Sequence, residues 1–166
     1  MHALRPTVVA AVVSLALVAP EARAGIADSP LPVLTAGATT LHLYSVPGVI
    51  ASGGLDTFFS CTSTDMATMK VGVELFGGPG GAPINDAAAT SLSVAPGATV
   101  IFGTGAAVGI SINSNLGGGF SKGSARILAT SKKLACTAFV ADQGNAPPTS
   151  MVQLTIIAKT TQKAAN

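Results

Sequence analysis

The chain's reactive or ionisable side chains are two cysteines, two histidines, seven acids and nine bases. Cys61 and Cys136 lie in alternating apolar stretches, Phe58-Phe59-Ser60-Cys61 and Leu134-Ala135-Cys136-Thr137. A redox-active pair is more often C-x-x-C beside a helix. Two distant cysteines in an oxidising compartment read instead as a structural disulfide. Such a bridge closes a loop of about 76 residues, worth about 4 to 4.5 kcal/mol in the chain-entropy account.

A Ser-His-Asp or Cys-His triad needs a histidine base held by an oriented partner. His42 alternates with Leu41 and Leu43 and reads as a solvent-facing or capped strand residue. A zinc site needs about three or four Cys, His or carboxylate ligands, which one histidine and a bridged cysteine pair do not supply. Asp28, Asp56, Asp65, Glu74, Asp86 and Asp142 are scattered, mostly at loop edges where aspartate serves turns and caps. No D-x-D-x-D-G calcium loop is present. The expectation is therefore a non-enzyme with no catalytic residue, metal or cofactor.

The glycine clusters do not read as phosphate loops either. Gly77-Gly78-Pro79-Gly80-Gly81 and Gly117-Gly118-Gly119 lack the G-x-x-x-x-G-K-[ST] pattern. Gly103-Thr104-Gly105 lacks a third glycine and a following helix. All three suit loops that use positive φ angles. Lys122, Arg126, Lys132 and Lys133 cluster in the C-terminal third. Lys132-Lys133 suits a solvated hairpin tip that deters edge pairing, or a contact with an anionic polysaccharide or headgroup. Rigid β scaffolds present function on loops. The candidate ligand-contact residues are accordingly Gly78, Gly80, Asn85, Asp86, Asn115 and Lys122, with Asn85 and Asp86 suited to sugar hydroxyls.

The first 24 residues have the form of a processing segment. Arg5 supplies a short positive region, Val8 to Ala19 an apolar run broken by Ser14, and Ala22-Arg23-Ala24 a small-x-small cleavage site. The run holds about 12 residues, whereas a bilayer-spanning helix needs about 20. Cleavage between Ala24 and Gly25 is expected, leaving no stable membrane span and a protein destined for the periplasm or the exterior. Loss of Arg5, Arg23 and Glu21 leaves seven basic and six acidic side chains. That balance excludes an electrostatic nucleic-acid binder. With 19 Gly, 10 Pro and 10% charged residues, the chain is no coiled coil, and it is too apolar for a disordered one.

Period-2 alternation dominates what remains. The spacing predicts strands over 39–46, 55–63, 67–76, 91–94, 99–102, 109–113, 124–130, 134–142 and 151–159. Pro47-Gly48 and Pro96-Gly97 read as turns, and Asp86 to Ala89 as a single helical turn. On the third strand Met69, Val71, Val73 and Leu75 form an apolar face, and Lys70, Gly72 and Glu74 a wet one. The organisation expected is a signal peptide over 1–24, an extended leader over 25–37, one β domain over 38–160 and a disordered tail over 161–166. The fold class expected is all-β: a single-domain antiparallel β-sandwich, immunoglobulin-like, of about eight strands, with one inter-strand disulfide that reads as a staple between its two sheets. A small closed barrel is the alternative.

The pieces FFSCTSTDMATMKVGVELFG, SLSVAPGATVIFGT and GSARILATSKKLACTAFVAD resemble immunoglobulin-like sandwich modules of bacterial secreted and surface proteins. The resemblance covers about half the chain and is architectural. It implies a structural, adhesive or binding role outside the cytoplasm, with a cell-surface protein or polysaccharide as partner. It carries over no functional residue. A pilin-like subunit that assembles by strand exchange through the leader is the second expectation.

Overall fold

The computed structural model describes residues 25–117 and 120–159. The expected signal peptide, the expected tail and Gly118-Gly119 lie outside the described residues.

The described chain is all-β and contains no helix. Its strands are β1 (Leu41–Ser52), β2 (Leu55–Ser63), β3 (Met69–Gly77), β4 (Leu92–Val94), β5 (Thr99–Gly103), β6 (Ser114–Asn115), β7 (Lys122–Ala129), β8 (Leu134–Asp142), β9 (Met151–Gln153) and β10 (Ile157–Ala158). One layer runs β4-β3-β7-β1-β10 and the other β9-β8-β2-β5-β6. The β1–β2 hairpin joins them into one continuous sheet. The chain also passes from layer to layer after β2, β4, β6, β7 and β9, and the sheet is nearly closed and barrel-like. Pairing is antiparallel except for the short parallel contact of β5 with β6.

Alternation produces the core. Val71, Val73 and Leu75 of β3, Ala125 and Ile127 of β7, and Phe59 and Cys61 of β2 point inward into a single buried cluster. Tyr44 ties the layers by donating its hydroxyl proton to the Leu134 carbonyl at 2.5 Å. Cys61 and Cys136 are bridged, but they oppose each other on the paired strands β2 and β8. Their Cα atoms are 4.1 Å apart. The bridge is therefore a cross-strand link within one layer, and the expected inter-sheet staple is corrected.

Several boundaries also differ from the alternation pattern. Pro47-Gly48 is no turn: β1 runs through it with a register shift between Pro47 and Val49, and Gly48 takes a φ of 76°. Proline lacks the N–H that the ladder needs, and a bulge accommodates it. The turn lies at Gly53-Gly54, with φ of 65° and 78°, the two positive values of a type I′ hairpin. The expected strand over 109–113 is a loop. A Cβ at Gly109 would lie 2.8 Å from both the Asn145 carbonyl oxygen and Pro148 Cδ, so this stretch packs as a cover and not as a ladder. The expected final strand divides in two because the chain leaves β8 to reach β1.

The wet face expected on β3 is also covered. Glu74 is 4% exposed and Arg126, opposite it on β7, is 1% exposed. They form an ion pair. The Arg126 guanidinium also donates to the carbonyls of Ser29 at 3.0 Å, Pro30 at 2.8 Å and Ile26 at 3.4 Å, and sits over the Phe76 ring. Leu34 packs with Ala87 and Leu128. The expected extended leader is thus a third layer, laid over the outer face of β3 and β7. Gly72 makes room for it: a Cβ there would lie 3.1 Å from Leu34 Cδ2 of this segment and 3.0 Å from the Ala87 carbonyl oxygen.

Candidate functional site

The corner where β1 turns into β2 gathers a buried polar network. Asp56 is the second residue of β2 and is 2% exposed. Its Oδ1 accepts from the Thr104 hydroxyl at 3.0 Å, and its Oδ2 from the Gln143 carboxamide at 2.6 Å. Thr104 Oγ1 accepts in turn from the Thr57 N–H at 3.0 Å. Thr57 Oγ1 exchanges bonds with the Ile50 N–H and carbonyl at 2.9 Å each. Thr104 N donates to the Thr57 carbonyl, and Gln143 N to the Gly54 carbonyl. A buried carboxylate is tolerated when hydrogen bonds replace its water. Here those bonds pin the 103–105 turn and the end of β8 to the hairpin.

A pocket of about 560 Å³ opens over this network, lined by Asp56, Thr104, Gly105, Asn115, Phe120 and Gln143 among others. Asn115 Oδ1 accepts from the Gly117 N–H at 2.9 Å. The Asn115 amide nitrogen and the Gln143 amide oxygen take no part in these bonds. The pocket therefore offers a carboxamide donor, a carboxamide acceptor and one aromatic ring.

Of the six candidate ligand-contact residues, only Asn115 lines this pocket. Gly78, Gly80 and Lys122 line a second, mainly apolar hollow of about 630 Å³, together with Gly25, Ile26 and Phe76. Asn85 lies elsewhere, against the edge of β3. Its Oδ1 accepts from Leu75 N–H at 2.7 Å and its Nδ2 donates to the Val73 carbonyl at 2.8 Å. Asp86 Oδ1 accepts from the N–H groups of Ala88 and Ala89, and Thr90 N closes the turn on the Asp86 carbonyl. Both side chains are engaged in holding the loop. Sequence reasoning gave Asp56 only a turn or cap role and Thr104 only a place in a glycine loop, and it passed over Gln143, because each reads as an ordinary strand-end or loop residue.

His42 is a capped strand residue. Its Nε2 lies 3.1 Å from the Tyr44 carbonyl and 3.0 Å from Ser45 Oγ, and its Nδ1 lies 3.4 Å from Lys159 Nζ. Nε2–H donating and Nδ1 accepting is the neutral form. Burial first, then the charges of Lys159 and Arg126, lower its pKa to about 4. The Asp65 carboxyl is held below its usual value by the Ser131 hydroxyl and then the Met66 N–H. Asp142 is held low by the Ser150 N–H and then the Asn145 amide. Among the described residues no three His, Cys, Asp or Glu side chains gather in a metal-binding group. No protein-family model, curated protein or solved structure matches the chain.

Proposed function

We propose that this is an exported, non-enzymatic binding protein and that the corner above Asp56 seats a neutral saccharide unit of a surface polysaccharide. The observation that carries the reading is the pocket of about 560 Å³ with Asn115, Gln143 and Phe120 on its walls. Sugar hydroxyls both donate and accept, which matches a carboxamide nitrogen beside a carboxamide oxygen. The apolar face of a pyranose suits an aromatic ring. The Asp56–Thr104–Gln143 bonds hold the Gln143 wall in place before any ligand arrives, which lowers the ordering cost of binding. The Cys61–Cys136 bridge supports an oxidising, exported setting. The two facing layers support reading the barrel-like sheet as a variant of the immunoglobulin-like sandwich. Strand exchange through residues 25–37 is the lesser reading, because Arg126 already binds three carbonyls of that segment.

A glycan array probed with the folded protein, followed by calorimetry on the hits, tests the proposal. Binding that falls at least about tenfold in Asn115→Ala and in Gln143→Ala is expected, on the scale of one lost hydrogen bond. Folded protein that binds no glycan, or binding unchanged in both variants, overturns it.

A further inference from the structure

The start of the described chain is built around the Gly25 nitrogen. Gly25 N donates to Asp28 Oδ1 at 2.6 Å. The Gly25 carbonyl accepts from Ser29 N at 3.0 Å and from Asp28 N at 3.3 Å. The next carbonyls, of Ile26, Ser29 and Pro30, are held by Arg126. Ser29 Oγ, in the same turn, is the one buried side-chain polar atom without a hydrogen-bond partner among the described residues. The turn thus aims a carboxylate at one backbone nitrogen.

Ala22-Arg23-Ala24 places the expected cleavage at this nitrogen. Hydrolysis adds water across the Ala24–Gly25 amide. The carbon–nitrogen bond breaks, Ala24 keeps a carboxylate, and the Gly25 nitrogen gains protons to become an ammonium. One neutral N–H becomes three charged N–H donors. A hydrogen bond to an ionised partner is stronger than a neutral one.

We infer that the Gly25 α-ammonium released by processing is a structural group: it pairs with Asp28 and locks the 25–30 turn onto the outer face of β3 and β7. Cleavage then does more than release the chain from its targeting segment. It converts a neutral anchor into a charged one at the edge of the layer that covers the Arg126–Glu74 pair. The inference rests on the export reading and is independent of the saccharide pocket. The charged groups around this nitrogen are Asp28 on its own segment, Lys122 of β7 lining the same hollow, Arg126 of β7 and Glu74 of β3, which Arg126 neutralises. Asp28 is the one carboxylate bonded to the nitrogen, so the α-amino pKa rises in the folded protein. The stabilisation is present below the ordinary α-amino pKa of about 8 and is lost as pH rises through the raised value.

The test compares the chain beginning at Gly25 with one that retains Ala22-Arg23-Ala24, each with and without Asp28→Asn. NMR titration of the isotope-labelled α-amino group reads the ion pair directly. The Gly25 amine is expected to titrate above the usual range of about 7.7–8.0 and to return to it in Asp28→Asn. The chain starting at Gly25 should melt higher than the extended chain at pH 6, and the gap should close in Asp28→Asn. An amine that titrates alike with and without Asp28, or an equal melting gap in both backgrounds, overturns the inference. N-terminal sequencing of full-length chain recovered after export checks the cleavage itself. A start at Gly25 supports the inference and a start elsewhere overturns it, while neither result touches saccharide binding.

Discussion

Gly105 lies against the Asp56 carboxylate so closely that a Cβ on it would overlap all three carboxyl atoms. Asp56 in turn holds Thr104 and Gln143, so it has no room to move aside. Gly105→Ala should therefore destabilise the protein by about 1–3 kcal/mol, the cost of an overpacked site. Gly144→Ala, where a Cβ meets nothing within 4 Å, is the matched control and should be near neutral. Urea unfolding of the two variants measures the contrast. His42 makes the second residue-scale prediction. Its pKa is about 4 in the folded chain against 6.5 ordinarily, so between those values the unfolded chain binds more protons. Stability should fall as pH drops from 6.5 to 4, by on the order of 1 kcal/mol once the half-exposed ring is discounted for solvent screening. Midpoints of denaturation measured across that window should flatten in His42→Gln. The strand position of His42 was legible from its alternation with Leu41 and Leu43, whereas the choice between a solvent-facing and a capped ring rests on the Tyr44 and Ser45 bonds. The role of Asp56 was not, because its partners Thr104 and Gln143 lie 48 and 87 residues away.

At the scale of elements, β3 shows how a side chain can finish a sheet edge. β4 pairs only with Met69 to Val71, and beyond it the Asn85 carboxamide takes over by bonding Leu75 N–H and the Val73 carbonyl. Asn85→Ala leaves that donor and acceptor unmatched, at about 1–3 kcal/mol. Hydrogen exchange at Leu75 should accelerate while that of Ile127 on β7 stays slow. The strands over 55–63 and 134–142 were legible to the residue, since each is a short apolar stretch and the breakers Gly53-Gly54, Thr64-Asp65, Ser131-Lys132-Lys133 and Gly144 fall outside it. The leader was not. Its two prolines and absence of periodicity read as an extended arm, but what docks it is the buried Arg126, whose charge sits in a strand and gives no local sign of its partners. The bulge at Pro47-Gly48 misled for a related reason, as the same dipeptide serves a turn or a bulge according to the neighbouring strand.

At the scale of the whole molecule, alternation with frequent turn residues specifies an all-β chain but leaves open whether two layers stay separate. Closure depends on where the chain crosses between them, which it does in the connections after β2, β4, β6, β7 and β9. Nothing in the period of those segments marks a crossing. The disulfide partners were legible from their count alone. Their placement on neighbouring strands was not, because pairing order is a property of the folded sheet.

The cross-strand bridge has a consequence for a protein that meets proteases. Cys61 and Cys136 stand 75 residues apart in sequence, and the loop around Val108, itself 74% exposed, lies between them. A cut there severs the backbone but not the molecule, since the two fragments stay joined by a covalent bond and by the ladders of β2 with β8 and of β7 with β1 and β3. Limited digestion should yield one band on a non-reducing gel and two after reduction. In a Cys61→Ser, Cys136→Ser variant, which also loses about 4 kcal/mol, the same cut should give two bands without reductant and hasten complete degradation. A single unchanged pattern for both proteins would remove this account of the bridge as a device that lets a nicked chain persist as one body.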